Sequence, residues 1–357
     1  MTTVLTPIRA ADYAVALFLA GLQAQSQAAF QRQANALAAD AAQETGAAQS
    51  AIAARQDLAD QADDARDVLG DLVRRAHFIR DRLDDAKAQA WKSQAGTDDS
   101  AFTYALAFNA AINSLIDQAE DSGDSPNLLG AQPQDTYTFY TGLNRATRSV
   151  SRTYLGTDYV LDVSDGTSWV RDRGYAPLLR ELDANGDYTG EIASVSGGVQ
   201  LDSLSGTDIT FTVAPETADA RTLSGTLSRD GLEVLDAWLY DGLTTDDGRS
   251  RAQDDLNAAK VIVDIAIAGF EAAQVRAQYV ADRAGEDISA LNGTLGDITT
   301  RQALALQELQ SQSDVKLALV TSAVENAAAL RAEYTKLFGG ADTAQGAFTQ
   351  SLIDISV

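Results

Sequence analysis

The residues that could do chemistry in this 357-residue chain are almost all carboxylates, 51 in number. The run Asp183-Ala-Asn185-Gly186-Asp187 has the alternating oxygen ligands that open a calcium loop. An EF-hand loop also needs glycine at its sixth position and glutamate at its twelfth, where Tyr188 and Ser194 stand. A hairpin turn with Asn-Gly at its tip is therefore the expectation. Asp246-Asp247-Gly248, Asp254 and Asp255 read as turn and first-turn helix residues, where acid complements the helix dipole. Paired carboxylates can hydrolyse glycosides, but with 51 of them some pair arises in any fold, and no strand–loop pattern marks a cleft. The one histidine, His77, permits no His-pair metal site, and the absence of cysteine removes thiolate metal sites, disulfides and cysteine nucleophiles. Asn292-Gly-Thr294 matches a glycosylation sequon but falls inside a helical pattern. Trp91, Trp169 and Trp238 are expected to pack where helices meet a smaller module. No catalytic, cofactor-binding or metal-binding residue is assigned, and no cofactor is expected.

With 27 basic side chains against 51 acidic ones, the net charge is −24. That balance disfavours nucleic acid, since neutralising phosphates needs clustered Lys and Arg, and it disfavours adherence to an anionic membrane. The chain uses 40 Asp against 11 Glu and 22 Arg against 5 Lys, which places a self-repelling, solvated surface around whatever core forms. Hydrophobic content of 45% suffices for a core, but much of it is alanine, which suits close helix–helix contact.

The elements that position these residues follow from periodicity. Leu58, Ala62, Ala65, Leu69, Leu72, Ala76, Ile79, Leu83, Ala86 and Ala90 recur at alternating steps of four and three, a heptad seam from which charge is excluded. Weaker helical spacing precedes it through Val15, Phe18, Leu22 and Phe30, with Gly46 as a candidate break. The cluster Thr97 to Ser100 predicts an N-cap for a short amphipathic helix, Ala101 to about Ala119, carrying Phe102, Leu106, Phe108, Ile112 and Leu115. Ser122 to Asn127 ends it. A second seam runs through Leu256, Ala259, Val263, Ala266, Phe270, Ala273, Ala277, Val280 and Ala284. Steps of four and four around Ile288 mark a stutter beside Gly285, after which Leu291, Leu295 and Ile298 resume the pattern. The periodicity continues from about Gln302 to Phe338, and Gly339-Gly340 is the expected stop.

Between the seams the composition turns to Gly, Thr, Ser and Tyr. Asp208 to Val213 alternates polar and apolar with period two, as a half-buried strand does. Asp158–Val163, Glu191–Ser196 and Arg221–Leu227 are further strand candidates, punctuated by turns at Asp165-Gly166, Asn185-Gly186, Gly197-Gly198 and Ser205-Gly206. The stretch Arg171 to Leu182 is expected as a short helix or irregular crossover. The domain reading is thus an N-terminal helical arm over 1–130, an inserted β-rich module over 134–226 and a C-terminal helical arm over 228–357. The fold class is mainly α, with long antiparallel coiled-coil arms from both termini and a small β domain at the distal end. Each seam is about 33 residues or more, hence roughly 50 Å of helix at 1.5 Å per residue. Matched lengths are what pairing requires.

Tyr13 to Leu22 has the length of a signal-peptide apolar region, but Arg9 is offset by Asp12 and no small-residue cleavage site follows. Thr6-Pro7 reads instead as an N-cap followed by proline at the first helical position. The sequence contains no run of 18 or more apolar residues, so no membrane-spanning segment is expected. The apolar segment Ala347 to Val357 is expected to pack back on the helices, to engage a neighbouring subunit, or to act as an uncleaved export signal.

Helical arms at both termini enclosing a β module resemble bacterial flagellins and hook-associated junction proteins, most of all from Asp241 through Leu291, where a Gly/Thr/Asp loop leads into an Ala-rich heptad. The N-terminal helix lacks that family's Leu-Ser-Ser-Gly and Asp-Asp-Ala-Ala-Gly runs, and the C-terminus lacks its usual ending. No functional residue is carried over. The resemblance implies a non-enzymatic subunit of an extracellular filament or appendage, exported without a cleaved signal peptide, with self-association through the helical seams and an export chaperone as partners. The alternative is a surface or secretion-apparatus tip protein or adhesin that uses the β module for ligand or host contact, and the alternative location is the cytoplasm.

Overall fold

The computed structural model describes residues 7–95, 98–121, 126–130, 136–151, 154–172 and 178–337, with side chains from Tyr13 to Tyr334 within those ranges. The chain forms two compact units, Met1–Ala53 with Ile288–Val357, and Ala54–Asp287. Among the described residues three α-helices serve them: α1 (Pro7–Lys92), α2 (Asp98–Glu120) and α3 (Asp246–Leu337). Gly46 interrupts nothing, since α1 runs through it and a side chain placed there would meet only open space. Helical propensity of the surrounding alanines outweighs the roughly 1 kcal/mol cost of one glycine. Thr6, Thr97, the Gly339-Gly340 stop and the segment Ala347 to Val357 lie outside the described residues, while Asp98, Asp99 and Ser100 of the expected capping cluster are already helical in α2.

In the larger unit, α1 and α3 pair antiparallel. Lys87 meets Asn257 at 2.5 Å and Asp84 meets Lys260 at 2.7 Å, so three residues back along α1 match three forward along α3. Arg80 with Asp264, Arg66 with Gln278 and Arg55 with Asp287 continue the ladder. Both predicted seams lie inside it: every position from Ala62 to Ala90, and every position from Leu256 to Ala284, is buried. Leu58 is half-buried. The alternation of four and three holds each seam toward its partner because the helices supercoil at 3.5 residues per turn.

Helix α2 closes this unit's helical layer, with Phe108, Ile112 and Leu115 on the packed stripe as expected and Phe102 and Leu106 off it. Ala101, Ala105, Phe108, Ile112, Leu115 and Ala119 are buried, whereas Phe102 and Leu106 point outward. Arg75 of α1 is buried and donates to the carbonyls of Gln118 (Nε, 3.2 Å; Nη2, 2.9 Å) and Ala119 (Nη2, 3.2 Å), satisfying the open C-terminal turn of α2. Burial pulls its guanidinium below the usual arginine value.

Among the described residues the β module has nine strands. β1 (Thr136–Tyr140) and β2 (Thr147–Ser151) form a separate hairpin. The others are β3 (Thr157–Val163), β4 (Ser168–Arg171), β5 (Leu178–Leu182), β6 (Tyr188–Ser194), β7 (Val199–Ser205), β8 (Asp208–Val213) and β9 (Arg221–Gly231). They make one antiparallel sheet in the order β6-β5-β4-β3-β9-β8-β7. β3 pairs with β9 from Thr157↔Gly231 to Val163↔Gly225, so the strands entering and leaving this seven-stranded sheet lie side by side at its centre. β6 and β7 are opposite edges of this sheet, yet only the four residues 195–198 join them. Four residues span at most about 14 Å, so the sheet must curl until its edges approach. Arg221 at the start of β9 accordingly reaches Glu181 on β5 (3.5 Å) and Glu191 on β6 (3.9 Å). The residues expected as a helix or crossover contain strand β5, and β9 runs past the composition change at 226–228.

In the smaller unit the two helical segments are antiparallel neighbours, with Arg301 on Glu44 at 2.9 Å and Ser26 near Ser313 at 3.5 Å. Here the heptad positions are mostly half-buried: Val15, Leu22, Phe30, Leu37 and Ile52 on α1, and Leu291, Leu309, Leu317, Val320 and Val324 on α3. Phe18, expected on this stripe, is exposed, and Leu19 takes its place. The boundary at Asp287/Ile288 falls on the predicted stutter.

Candidate functional site

The chain's buried chemistry collects where α2, the sheet and the start of α3 meet. A short 3₁₀ segment, Ala237–Leu243, leads from the sheet to α3, and the acid before it, Asp236, is fully buried. Arg171 at the end of β4 sits 3.0 Å from its Oδ1, with the carboxylate out of line for a directional bond, so this contact is chiefly electrostatic. Tyr159 on β3 donates to Oδ2 at 2.7 Å and in turn accepts from the indole of Trp238 at 3.2 Å. Asn109 of α2 accepts from the backbone of Ala237 at 2.7 Å, and Asn113 of α2 accepts from Arg171. Trp238 packs on Phe211 of β8 with ring centroids 5.9 Å apart, so the 3₁₀ segment fills the curl of the sheet.

A second cluster ties α3 to the same segment. Asp255 accepts from Tyr240 (2.7 Å) and pairs with Arg229 of β9 (2.9 Å), while the Tyr240 hydroxyl accepts from the Leu235 amide at 3.1 Å. Asp241, Gly242 and Leu243 are three consecutive residues with left-handed backbone, at φ 55°, 63° and 58°. Non-glycine residues adopt that region at a cost of roughly 1–2 kcal/mol each. Surrounding contacts hold them there: Asp241 Oδ2 accepts from Thr245 (2.8 Å) and Arg251 (3.0 Å), and Leu243 is fully buried. Gly248 allows the return, because a Cβ there would lie 2.3 Å from the Tyr240 carbonyl oxygen.

Burial pushes the Tyr159 and Tyr240 hydroxyls well above their usual 10.0, and the neighbouring Asp236 and Asp255 carboxylates add to the rise. Both tyrosines are thus neutral donors that lock the junction. The space beside Arg171, lined by Asn113, Ile116, Asp117, Thr157 and Asp158, is about 10 Å³, room for one water and no substrate. The arrangement joins parts; it does not present a reacting group to solvent.

The predicted candidates lie elsewhere. Asp183 is in the hairpin between β5 and β6, and its Oδ1 accepts from the amides of Asn185 (2.8 Å) and Asp187 (2.9 Å), which lowers its pKa. Its oxygens are spent on the turn. Asp246 and Asp247 are in the first turn of α3, paired with Arg249 and Arg251. His77 is half-buried beside the seam, 3.8 Å from Glu271. Asn292 is exposed on a helix. Trp169 and Trp238 are buried as expected, but Trp91 is 66% exposed, because it stands one residue past the seam position Ala90. Among the described residues no three of His, Asp and Glu are grouped to hold a metal ion, and no helix is long and apolar enough to cross a membrane. Sequence reasoning missed Arg171, Tyr159 and Asp236. The last has a signal: an acid inside the apolar run Val234-Leu-Asp-Ala-Trp-Leu-Tyr240 is affordable only when paired.

No family model matches the chain, and no curated protein does. Among solved structures, the crystal structure of Xanthomonas campestris FlgL matches over 72% of this chain and 99% of its own length, at 13% identity and a TM-score of 0.30. That score is below what a shared fold gives.

Proposed function

We propose that this protein is a non-enzymatic assembly subunit, flagellin-like in plan, of an extracellular filament or appendage. Its helical arms, 1–130 and 228–357, make the contacts between subunits, and the inserted module, 134–226, is exposed. The observation that carries this is the incomplete core of the smaller unit. Its two helices leave their shared heptad positions half-buried, and Leu17, Phe18, Leu304, Val315, Leu319 and Leu330 are exposed. Large apolar side chains in that number on a two-helix unit mark a surface that another chain covers. Export without a cleaved signal peptide, and an export chaperone that shields these faces beforehand, fit the same reading.

Electron microscopy of the purified full chain, with sedimentation across protein and salt concentration, tests it. Polymers, or oligomers that grow with concentration, are the expected outcome. Monomers at every concentration and in all salts would overturn it and leave the β module as a recognition head.

A further inference from the structure

Helix α3 carries a second heptad seam. Val261, Ile265, Ala268, Ala272, Val275 and Tyr279 follow one another at steps of four and three, offset by two residues from the seam that α1 buries. Two residues are about 200° of helix, so this stripe faces away from α1. All six are exposed, Val261 at 58%, Ile265 at 68%, Val275 at 70% and Tyr279 at 59%. Heptad spacing is the signature of a surface that receives a helix, since it keeps successive side chains in line with the holes of a supercoiled partner.

We infer that this face pairs antiparallel with the same face of a second copy, a contact that rests on the assembly reading above and locates part of it. Three features of the surface select this occupant. Its size pattern is two-fold symmetric: inverted about Phe270, Val261 meets Tyr279, Ile265 meets Val275, and Ala268 meets Ala272 of the copy. Each large residue thus opposes a large one, and the alanines meet at the centre, where Gly269 adds no bulk. The area suffices, because the exposed parts of Val261, Ile262, Ile265, Val275 and Tyr279 come to roughly 500 Å² per copy, and a symmetric pair buries on the order of 1,000 Å², the size at which specific interfaces begin. Charge excludes the neighbouring helix as partner: the solvent face of α1 in this unit carries Asp57, Asp60, Asp64, Asp67, Asp81 and Asp85, all exposed. Those carboxylates would be desolvated against an apolar stripe, and of the six just Asp67 (Arg66, 3.2 Å) and Asp85 (Arg82, 2.9 Å) have an arginine paired beside them. Around the stripe itself, Arg276 lies over the ring of Tyr279 at 5.5 Å, while Asp264 and Glu271 flank it on the side toward α1, 3.8 Å from Arg80 and His77. A two-fold contact closes on itself, so it supplies a paired building block, and polymer growth proceeds through other faces.

The absence of native cysteine makes the test direct. Full-length Ala268→Cys and Ala272→Cys proteins are mixed and treated with a short thiol-specific cross-linker, and sedimentation of Val275→Lys is compared with the parent. Covalent dimer enriched in the mixture over either protein alone, with at least tenfold weaker association of Val275→Lys and unchanged helical circular dichroism, is the expected result. Association that persists with no enriched mixed product, and with Val275→Lys unaffected, overturns this interface and leaves the assembly reading standing. A chain that is monomeric throughout overturns both.

Discussion

At the scale of single residues, the junction between sheet and helices depends on Asp236 being charged and matched. Removing it by Asp236→Ala leaves Arg171 buried without its counter-charge, which costs about 3–5 kcal/mol. Tyr159→Phe removes the hydrogen bond to the charged Asp236 and the acceptor of the Trp238 indole, and costs about 2–4 kcal/mol. Denaturant unfolding followed by tryptophan fluorescence separates the two, since Trp169 of β4 and Trp238 of the 3₁₀ segment are both buried at this junction. The same tyrosines set an alkaline limit. Their folded pKa values lie above 10.0, so the stabilisation is fully present below pH 10 and is lost as pH rises further, because the unfolded chain releases those protons first. Tyrosinate absorbance of Tyr159 and Tyr240 is therefore expected to appear only together with loss of structure at the junction, which alkaline titration followed by absorbance and circular dichroism together checks.

At the scale of elements, the seams carry the helical pairing. Leu72→Asp or Phe270→Asp places an unpaired charge at a fully buried position, and each is expected to reduce helicity or unfold the larger unit, whereas His77→Ala is expected to leave circular dichroism unchanged. Unchanged spectra for both seam variants would contradict the pairing. These seams were legible because a coiled coil writes its contact face into a period that survives any sequence detail. The short helix was harder: Phe102 and Leu106 are as hydrophobic as Phe108, and only the alanines at 101, 105 and 119 distinguish the stripe that packs. Strand β5 was not legible because its inward positions are Leu179 and Glu181, and the buried acid breaks the apolar alternation. Glu181 is tolerated there because Thr189 donates to it at 2.8 Å and Arg221 arrives from across the curl, a partner that only the closed sheet supplies. The junction was illegible for a related reason: Arg171, Tyr159 and Asp236 are far apart in sequence, and no local spacing announces that they meet.

At the scale of the whole molecule, the net charge of −24 opposes every association of like chains. Much of it sits on the solvent faces of the helices, as the six exposed aspartates of α1 illustrate, while the stripe Val261–Tyr279 and the large apolar residues of the smaller unit supply the attraction. The two forces answer differently to salt. Repulsion between exposed charges is screened beyond about 10 Å at 0.1 M ionic strength and about 3 Å at 1 M, whereas burial of apolar area is not weakened by screening. Self-association is therefore expected to strengthen as sodium chloride rises from about 0.01 M to 1 M, and millimolar divalent cations, which screen more strongly per ion, are expected to do the same at lower ionic strength. Sedimentation velocity across that series is the measurement. An association that instead weakened with salt would mean that ion pairs between subunits hold the assembly, and the apolar helix faces would lose their assigned role.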